Sequence, residues 1–221
     1  MTAQITVLIS GRGSNLKSLI EQSSKYQSYE IKKVISDHAN APGLEHARKA
    51  KIPHESFPRS EFKNKLAQKE AIYAAIESSS PDIIALAGFM QIVAEDFAKK
   101  HYGKIINIHP SILPNYPGLN THERVLENLS TMATPANHGC TVHFVDAGID
   151  TGPIIAQAEC EIVAEDTPQS LAARVLTLEH QLYAWSCHQI ASERLKLVGR
   201  KILFDPEVLK SAKELGFKLR I

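Results

Sequence analysis

The chain has 221 residues, 43% of them hydrophobic and 22% charged, and its formal net charge is +1. That balance suits an ordinary globular protein with one sizeable core, and it excludes the broad basic footprint that a nucleic-acid backbone requires. Cys140, Cys160 and Cys187 are odd in number and widely spaced, which argues against both a disulfide framework and a paired-cysteine metal site.

The N-terminal "MTAQITVLIS" enters a strand directly, without a basic region or a small-residue cleavage site. No apolar run reaches bilayer-spanning length. A cytoplasmic protein is therefore expected, with small-molecule partners and neither a membrane nor a nucleic-acid partner. Short runs rich in Ile and Val recur at 5–9, 31–35, 83–87 and 104–108. Between them, 16–22, 44–49, 62–77 and 94–99 read as helices. Strands buried on both faces look continuous rather than alternating, and their alternation with helices implies right-handed parallel crossovers. The expected fold is α/β, a doubly wound, mostly parallel sheet of the Rossmann-like kind.

After His122 a short helix reaches residue 128, and "CTVHFV" and "PIIAQAEC" follow as strand-like runs joined by the Gly-containing "DAGIDTG". An antiparallel pair added to the parallel sheet fits this pattern. Thr167 then Pro168 form a helix-start signal, so 167–192 is expected to be one long helix. The basic tail after Leu195 reads as strand-like and peripheral. With no repeat or linker in view, a single domain over 1–221 is expected, with its core at about 4–192 and its tail at 195–221.

Three segments hold residues suited to chemistry. In "ISGRGSNLKSLI" a strand ends in Gly11 and Gly13, and a helix opens at Ser14 or Asn15. Glycines let a backbone approach a ligand, and the amides of a helix start favour an anion such as phosphate. A tight turn without a ligand explains the same glycines. A dinucleotide site ranks third, because Asp37 lies at a suitable distance but Leu16 occupies the place of the third glycine.

In "INIHPSILPNYPGLNTH" a strand runs into Asn107 and His109, whose alternation puts both side chains on one side. An amide and an imidazole converging at the carboxyl end of a strand can hydrogen-bond a carbonyl oxygen that is becoming negative. Pro110, Pro114 and Pro117 stiffen the backbone that follows. The alternative is a capping Asn and a packing His. In "HFVDAGIDTGPII", Asp146 and Asp150 lie in a loop; a carboxylate near His109 would favour the protonated ring and fix its orientation, although such Asp residues also simply form turns. His138 and His143, five residues apart on a strand, point to opposite faces, so no metal is expected; His143 is a candidate pocket residue. The stretch 90–93, after "LAGF", offers backbone groups flanked by apolar side chains to a flat heterocycle, or else packs in the core.

Taken together, "ISGRGSNL", "LAGFM", "NIHPSILPNYPGLNTH", "HGCTVHFV" and "DTGPII", in this order from Ile5 to about Ser192, resemble the glycinamide ribonucleotide transformylases, folate-dependent formyltransferases of purine biosynthesis. The resemblance implies formyl transfer from the co-substrate 10-formyltetrahydrofolate to the amine of glycinamide ribonucleotide, without a metal. It implies a catalytic trio of Asn107, His109 and Asp150. Gly13, Ser14, Asn15 and Glu179 correspond to residues that bind the ribonucleotide. Met90, Gln91, Ile92 and Val93, together with Asn107, Asp146, Ala147, Gly148, Ile149 and Asp150, correspond to the folate site.

The chain departs from the family pattern in two places. Gln91 stands where relatives commonly carry Arg, and "KNKLAQKEA" offers Lys63, Lys65 or Lys69, with Lys69 preferred, where an Arg usually meets the folate tail. A lysine gives a point charge in place of a bidentate fork. "LSTMATPAN" is also an unusual loop. Methionyl-tRNA formyltransferases and formyltetrahydrofolate hydrolases share the trio but carry a further domain, for which this length leaves no room. A non-catalytic dinucleotide-binding module is the rival from another class. A monomer or a homodimer is expected.

Overall fold

The computed structural model describes residues 2–129 and 137–220, so most of the "LSTMATPAN" loop lies outside the described residues. Two compact units make up the chain, Met1–Asn107 and Ile108–Ile221.

The first unit contains β1 (Ala3–Ile9), α1 (Ser14–Tyr26), β2 (Tyr29–Ser36), α2 (Leu44–Lys49), β3 (His54–Ser56), α3 (Lys65–Ser78), β4 (Ile83–Leu86), α4 (Glu95–Lys100) and the start of β5 (Ile105–His109). The strands are all parallel, with β1 paired to β2 and β4, β2 to β3, and β4 to β5. Ile5, Val7, Leu8 and Ile9 are buried in succession, as are Ile83 to Leu86, so the continuous apolar runs reflect strands covered on both faces. Each such side chain contributes about 1.5–3 kcal/mol of burial.

The order β5-β4-β1-β2-β3 reverses between β1 and β4, and the carboxyl ends of those two strands form the switch point at which α/β sheets bind ligands. There Ser10 N–H donates to the Gly88 carbonyl (3.1 Å), and Met90 N–H donates to the Ser10 hydroxyl (2.9 Å). Helix α3 starts at Lys65 rather than 62, because the Asn64 side chain accepts from Ala67 N–H (2.8 Å) and fixes the first turn. Strand β3 has no counterpart among the apolar runs: it is short, largely exposed and rich in polar residues.

The second unit contains the antiparallel pair β6 (Asn137–Phe144) and β7 (Ile154–Glu161), preceded by α5 (Thr121–Leu129) and followed by the long helix α6 (Pro168–Ala191). Thr167 caps α6 through a capping box with Ser170, and Leu171, Val175, Leu182 and Trp185 lie on its buried face. The tail differs from the strand-like expectation. After the hairpin of β8 (Leu195–Val198) and β9 (Lys201–Phe204) comes a helix, α7 (Pro206–Glu214), and then β10 (Lys218–Leu219), which adds to the edge of β7. Val208, Ala212 and Phe217 are buried, and Phe217 meets Trp185 edge-on at 5.4 Å between ring centroids. Burial drives the thiols of Cys140 and Cys187 well above the ordinary range, so both stay protonated. Among the described residues no helix is long and apolar enough to cross a membrane.

The start of α6 contains a pH-sensitive tie. Asp166 accepts from both terminal nitrogens of Arg174 (2.7 and 2.8 Å), from the Ser170 hydroxyl and from Val163 N–H. The Arg174 bonds, against the cost of burial, hold its carboxyl far below the usual range. A carboxyl depressed in the folded state stabilises above its unfolded pKa and loses that contribution as the pH falls. The stability difference between wild type and Asp166→Asn, from urea unfolding, is thus expected to be constant near neutrality and to shrink below about pH 4. A difference unchanged to about pH 3 contradicts this assignment.

Candidate active site

The turn after β1 shows why glycine is needed at position 13. Gly13 is the N-cap of α1 with φ +69°, and a Cβ there would lie 2.6 Å from the Gly43 Cα. Gly43 N–H in turn donates to the Gly11 carbonyl (3.0 Å). The cap carries no side chain, and in the first turn of α1 that follows, Ser14 is half-buried and Asn15 buried. The dinucleotide alternative loses its support. Leu16 is fully buried, and both oxygens of the buried Asp37 are engaged, by His38 Nδ1 (2.7 Å) and Gln91 Nε2 (3.0 Å).

The turn after β4 rises through Gly88 at φ +77° to Met90 and Ile92, two large apolar side chains left exposed. Gln91 and Val93 beside them are half-buried. Lys69, expected at a folate tail, donates its ammonium to the Ile92 carbonyl (2.8 Å) and supports this turn from α3. Asn107 is half-buried where β5 leaves the sheet register, paired opposite Leu86, and His109 follows two residues along the strand.

In the second unit His109 is 5% exposed and held by both ring nitrogens. Nε2 is 2.9 Å from the Tyr116 carbonyl, to which it donates, and Nδ1 is 3.4 Å from Asp150 Oδ2. The same Asp150 oxygen accepts from Gly118 N–H (2.8 Å), and Oδ1 lies 3.7 Å from His143 Nε2. His143 donates from Nδ1 to the Phe144 carbonyl, and burial holds this imidazole below its ordinary range. The structure thus brings His109, Asp150 and His143 together.

The loop that follows His109, in which the Leu113–Pro114 bond is cis, is tied down from β6 and β7. The Thr141 hydroxyl donates to the Ser111 carbonyl (2.6 Å) and accepts from Leu113 N–H (3.1 Å) and Gln157 Nε2 (2.9 Å). Gln157 also donates to the Leu113 carbonyl (2.9 Å). Asp146 organises the loop that carries Asp150, accepting from Gly148 N–H, the Thr151 hydroxyl and Arg200. Burial opposes its charge, yet those bonds outweigh burial and keep its carboxyl below the usual range. Ala147, Gly148 and Ile149 are exposed. Glu179 lies on the buried face of α6, close enough to Cys140 of β6 to add its charge to the burial that raises the thiol. His138 pairs with His122 (Nε2 to Nδ1, 3.1 Å), and burial, with the neighbouring rings, lowers it to about 4. No group of His, Cys, Asp and Glu suited to a metal ion occurs among the described residues. Tyr116, Gly118, Thr141, Gln157 and Arg200 escaped the sequence reading. The first two act through their backbone and the last across a long sequence gap. A polar Thr141 in a buried strand was the one visible signal.

The pattern of the formyl transferase family matches residues 3–186. The chain is 40% identical over 195 residues to the phosphoribosylglycinamide formyltransferase of Escherichia coli (strain K12), covering 87% of this chain and 89% of that one. It is 41% identical to the trifunctional purine biosynthetic protein adenosine-3 of Bos taurus over 88% of this chain and 19% of that longer one. The structure of the phosphoribosylglycinamide formyltransferase from Coxiella burnetii superposes with a TM-score of 0.85 at 40% identity, covering 93% and 94% of the two chains.

Removing the Thr141 hydroxyl strands a buried N–H and a buried carbonyl. Thr141→Val is therefore expected to lower unfolding stability in urea by about 2 kcal/mol, and a loss within about 0.5 kcal/mol would show that the tie carries little.

Proposed function

Because the chain belongs to the formyl transferase family, we infer that it transfers the formyl group of 10-formyltetrahydrofolate to the primary amine of glycinamide ribonucleotide in purine biosynthesis. The products are formylglycinamide ribonucleotide and tetrahydrofolate. The observation that carries this reading is the buried imidazole of His109 held against the Asp150 carboxylate at the end of a loop-bearing strand.

The amine attacks the formyl carbon, a new C–N bond forms, and the carbonyl electrons move to oxygen. Asn107, on the same side of β5 as His109, donates its amide to that oxygen, and the imidazolium of His109 donates with charge assistance. An oxyanion is a stronger acceptor than an amide carbonyl, so it can take over the Nε2 proton from Tyr116. Asp150, 3.4 Å from Nδ1, orients the ring. Collapse of the intermediate breaks the bond to the folate nitrogen. A proton passes from the attacking amine to that nitrogen, through water or through His109.

Gly13, Ser14 and Asn15 hold the ribonucleotide phosphate at the start of α1, and Glu179 contacts the same substrate. The folate-binding segments are Met90 to Val93 and the 146–150 loop; Met90 and Ile92 are exposed in the first and Ile149 in the second. Lys69 acts on folate by shaping the 90–93 turn. The chain works as a single formyltransferase domain in the cytoplasm, as a monomer or a homodimer.

His109→Ala and Asp150→Asn are each expected to lower kcat by about 10²–10⁴-fold with circular dichroism unchanged. Wild-type turnover in either variant removes that residue from the mechanism. Ser14→Ala and Asn15→Ala are expected to raise KM for the ribonucleotide by about tenfold while leaving that for folate nearly constant. An effect on folate alone would invert the assignment of the two substrates.

A further inference from the structure

The loop that carries Asp150 has an unusual backbone. Asp150 sits at φ +54°, in the left-handed region where a residue other than glycine persists only if its surroundings hold it. From within the loop, Asp146 Oδ1 accepts from Gly148 N–H (3.1 Å) and the Thr151 hydroxyl (2.6 Å). A Cβ at Gly152 would run into the Phe144 carbonyl, so the chain leaves the turn pressed against the end of β6.

From outside, one side chain closes the loop. Arg200, in the turn between β8 and β9, donates from Nη1 to Asp146 Oδ2 (2.7 Å) and from Nη2 to the Thr151 carbonyl (2.6 Å). These acceptors flank Asp150 on both sides in sequence. A planar guanidinium bonded to two separate acceptors fixes both their distance and their orientation, which a lysine ammonium cannot do. The Arg200 side chain is 64% exposed, and an exposed pair of this kind adds little to global stability. What it fixes is the geometry of a short stretch.

We propose that Arg200 is a positioning residue for Asp150, which makes the β8–β9 hairpin part of the catalytic apparatus. The inference rests on the reading of Asp150 as the partner of His109 in formyl transfer. Arg200 touches no reacting atom; it acts by holding the turn that aims the carboxylate at the imidazole.

The test is a double-variant cycle on the full chain, with kcat for formyl transfer measured at saturating substrates for wild type, Arg200→Ala, Asp150→Asn and the combination. The temperature is one at which circular dichroism shows each variant folded. Arg200→Ala is expected to lower kcat by about tenfold, since small misplacements at a reacting centre are costly, and to cost nothing further once Asp150 is Asn. Arg200→Lys, which keeps the charge and loses the fork, is expected to restore only part of the rate; should Arg200→Ala fail to fold, it takes that variant's place in the cycle. Wild-type kcat in Arg200→Ala, or the same fractional loss in both backgrounds, overturns the positioning role. A loss with Asp150→Asn and none with Arg200→Ala sinks this inference alone, whereas wild-type turnover in Asp150→Asn sinks the underlying reading of the site with it.

Discussion

One imidazole between two acceptors sets the terms for the second half of this chain. The His109 ring is buried, and it faces the Tyr116 carbonyl with one nitrogen and the Asp150 carboxylate with the other. Buried polar groups are costly unless they are hydrogen-bonded. The surrounding structure supplies that pairing through two loops whose key residues, Tyr116 (φ +53°) and Asp150 (φ +54°), both adopt left-handed backbone. Such conformations need external support. Thr141 and Gln157 support the first loop, and Asp146 with Arg200 the second. Polar residues within β6 and β7 are therefore anchors for loops more than parts of a sheet.

The first unit follows a simpler rule. Its parallel strands pair in a ladder between largely apolar faces, and their carboxyl ends deliver two turns that are hydrogen-bonded to each other through Ser10. Glycine at position 13 is required by the approach of Gly43, so packing and an open helix N-terminus come from the same residue. The sequence alone left a tight turn and a phosphate cradle as competitors, and the packing of Gly13 on Gly43 accounts for the turn.

Legibility followed the range of the interactions. Continuous apolar runs predicted β1, β4 and β5 because both faces of those strands are covered. Strand β2, exposed at Glu30 and Lys32, was marked by its buried Ile31, Val34 and Ile35, and Thr167 with Pro168 marked the start of α6 because capping is local. Strand β3 was invisible, since it is exposed and lacks that pattern. Helix α7 was missed although Asp205 and Pro206 form a helix start, because Val208 and Ala212 are a sparse apolar face among lysines and glutamates. In the site, Asn107, His109 and Asp150 stood out by residue type and by their places at strand and loop ends. Arg200 lies 54 residues from its partner Asp146, and nothing local in "LVGRKILF" signals the contact. Lys69 was noticed for its charge, but it serves the Ile92 carbonyl, a bond that only the fold reveals.

The most direct test of the account follows consumption of 10-formyltetrahydrofolate by the wild-type chain with and without glycinamide ribonucleotide. Formyl transfer at this site predicts release of tetrahydrofolate only when both substrates are present, with one formylglycinamide ribonucleotide formed for each folate consumed. Loss of the formyl group at the same rate without the ribonucleotide would make water the acceptor and contradict the assignment.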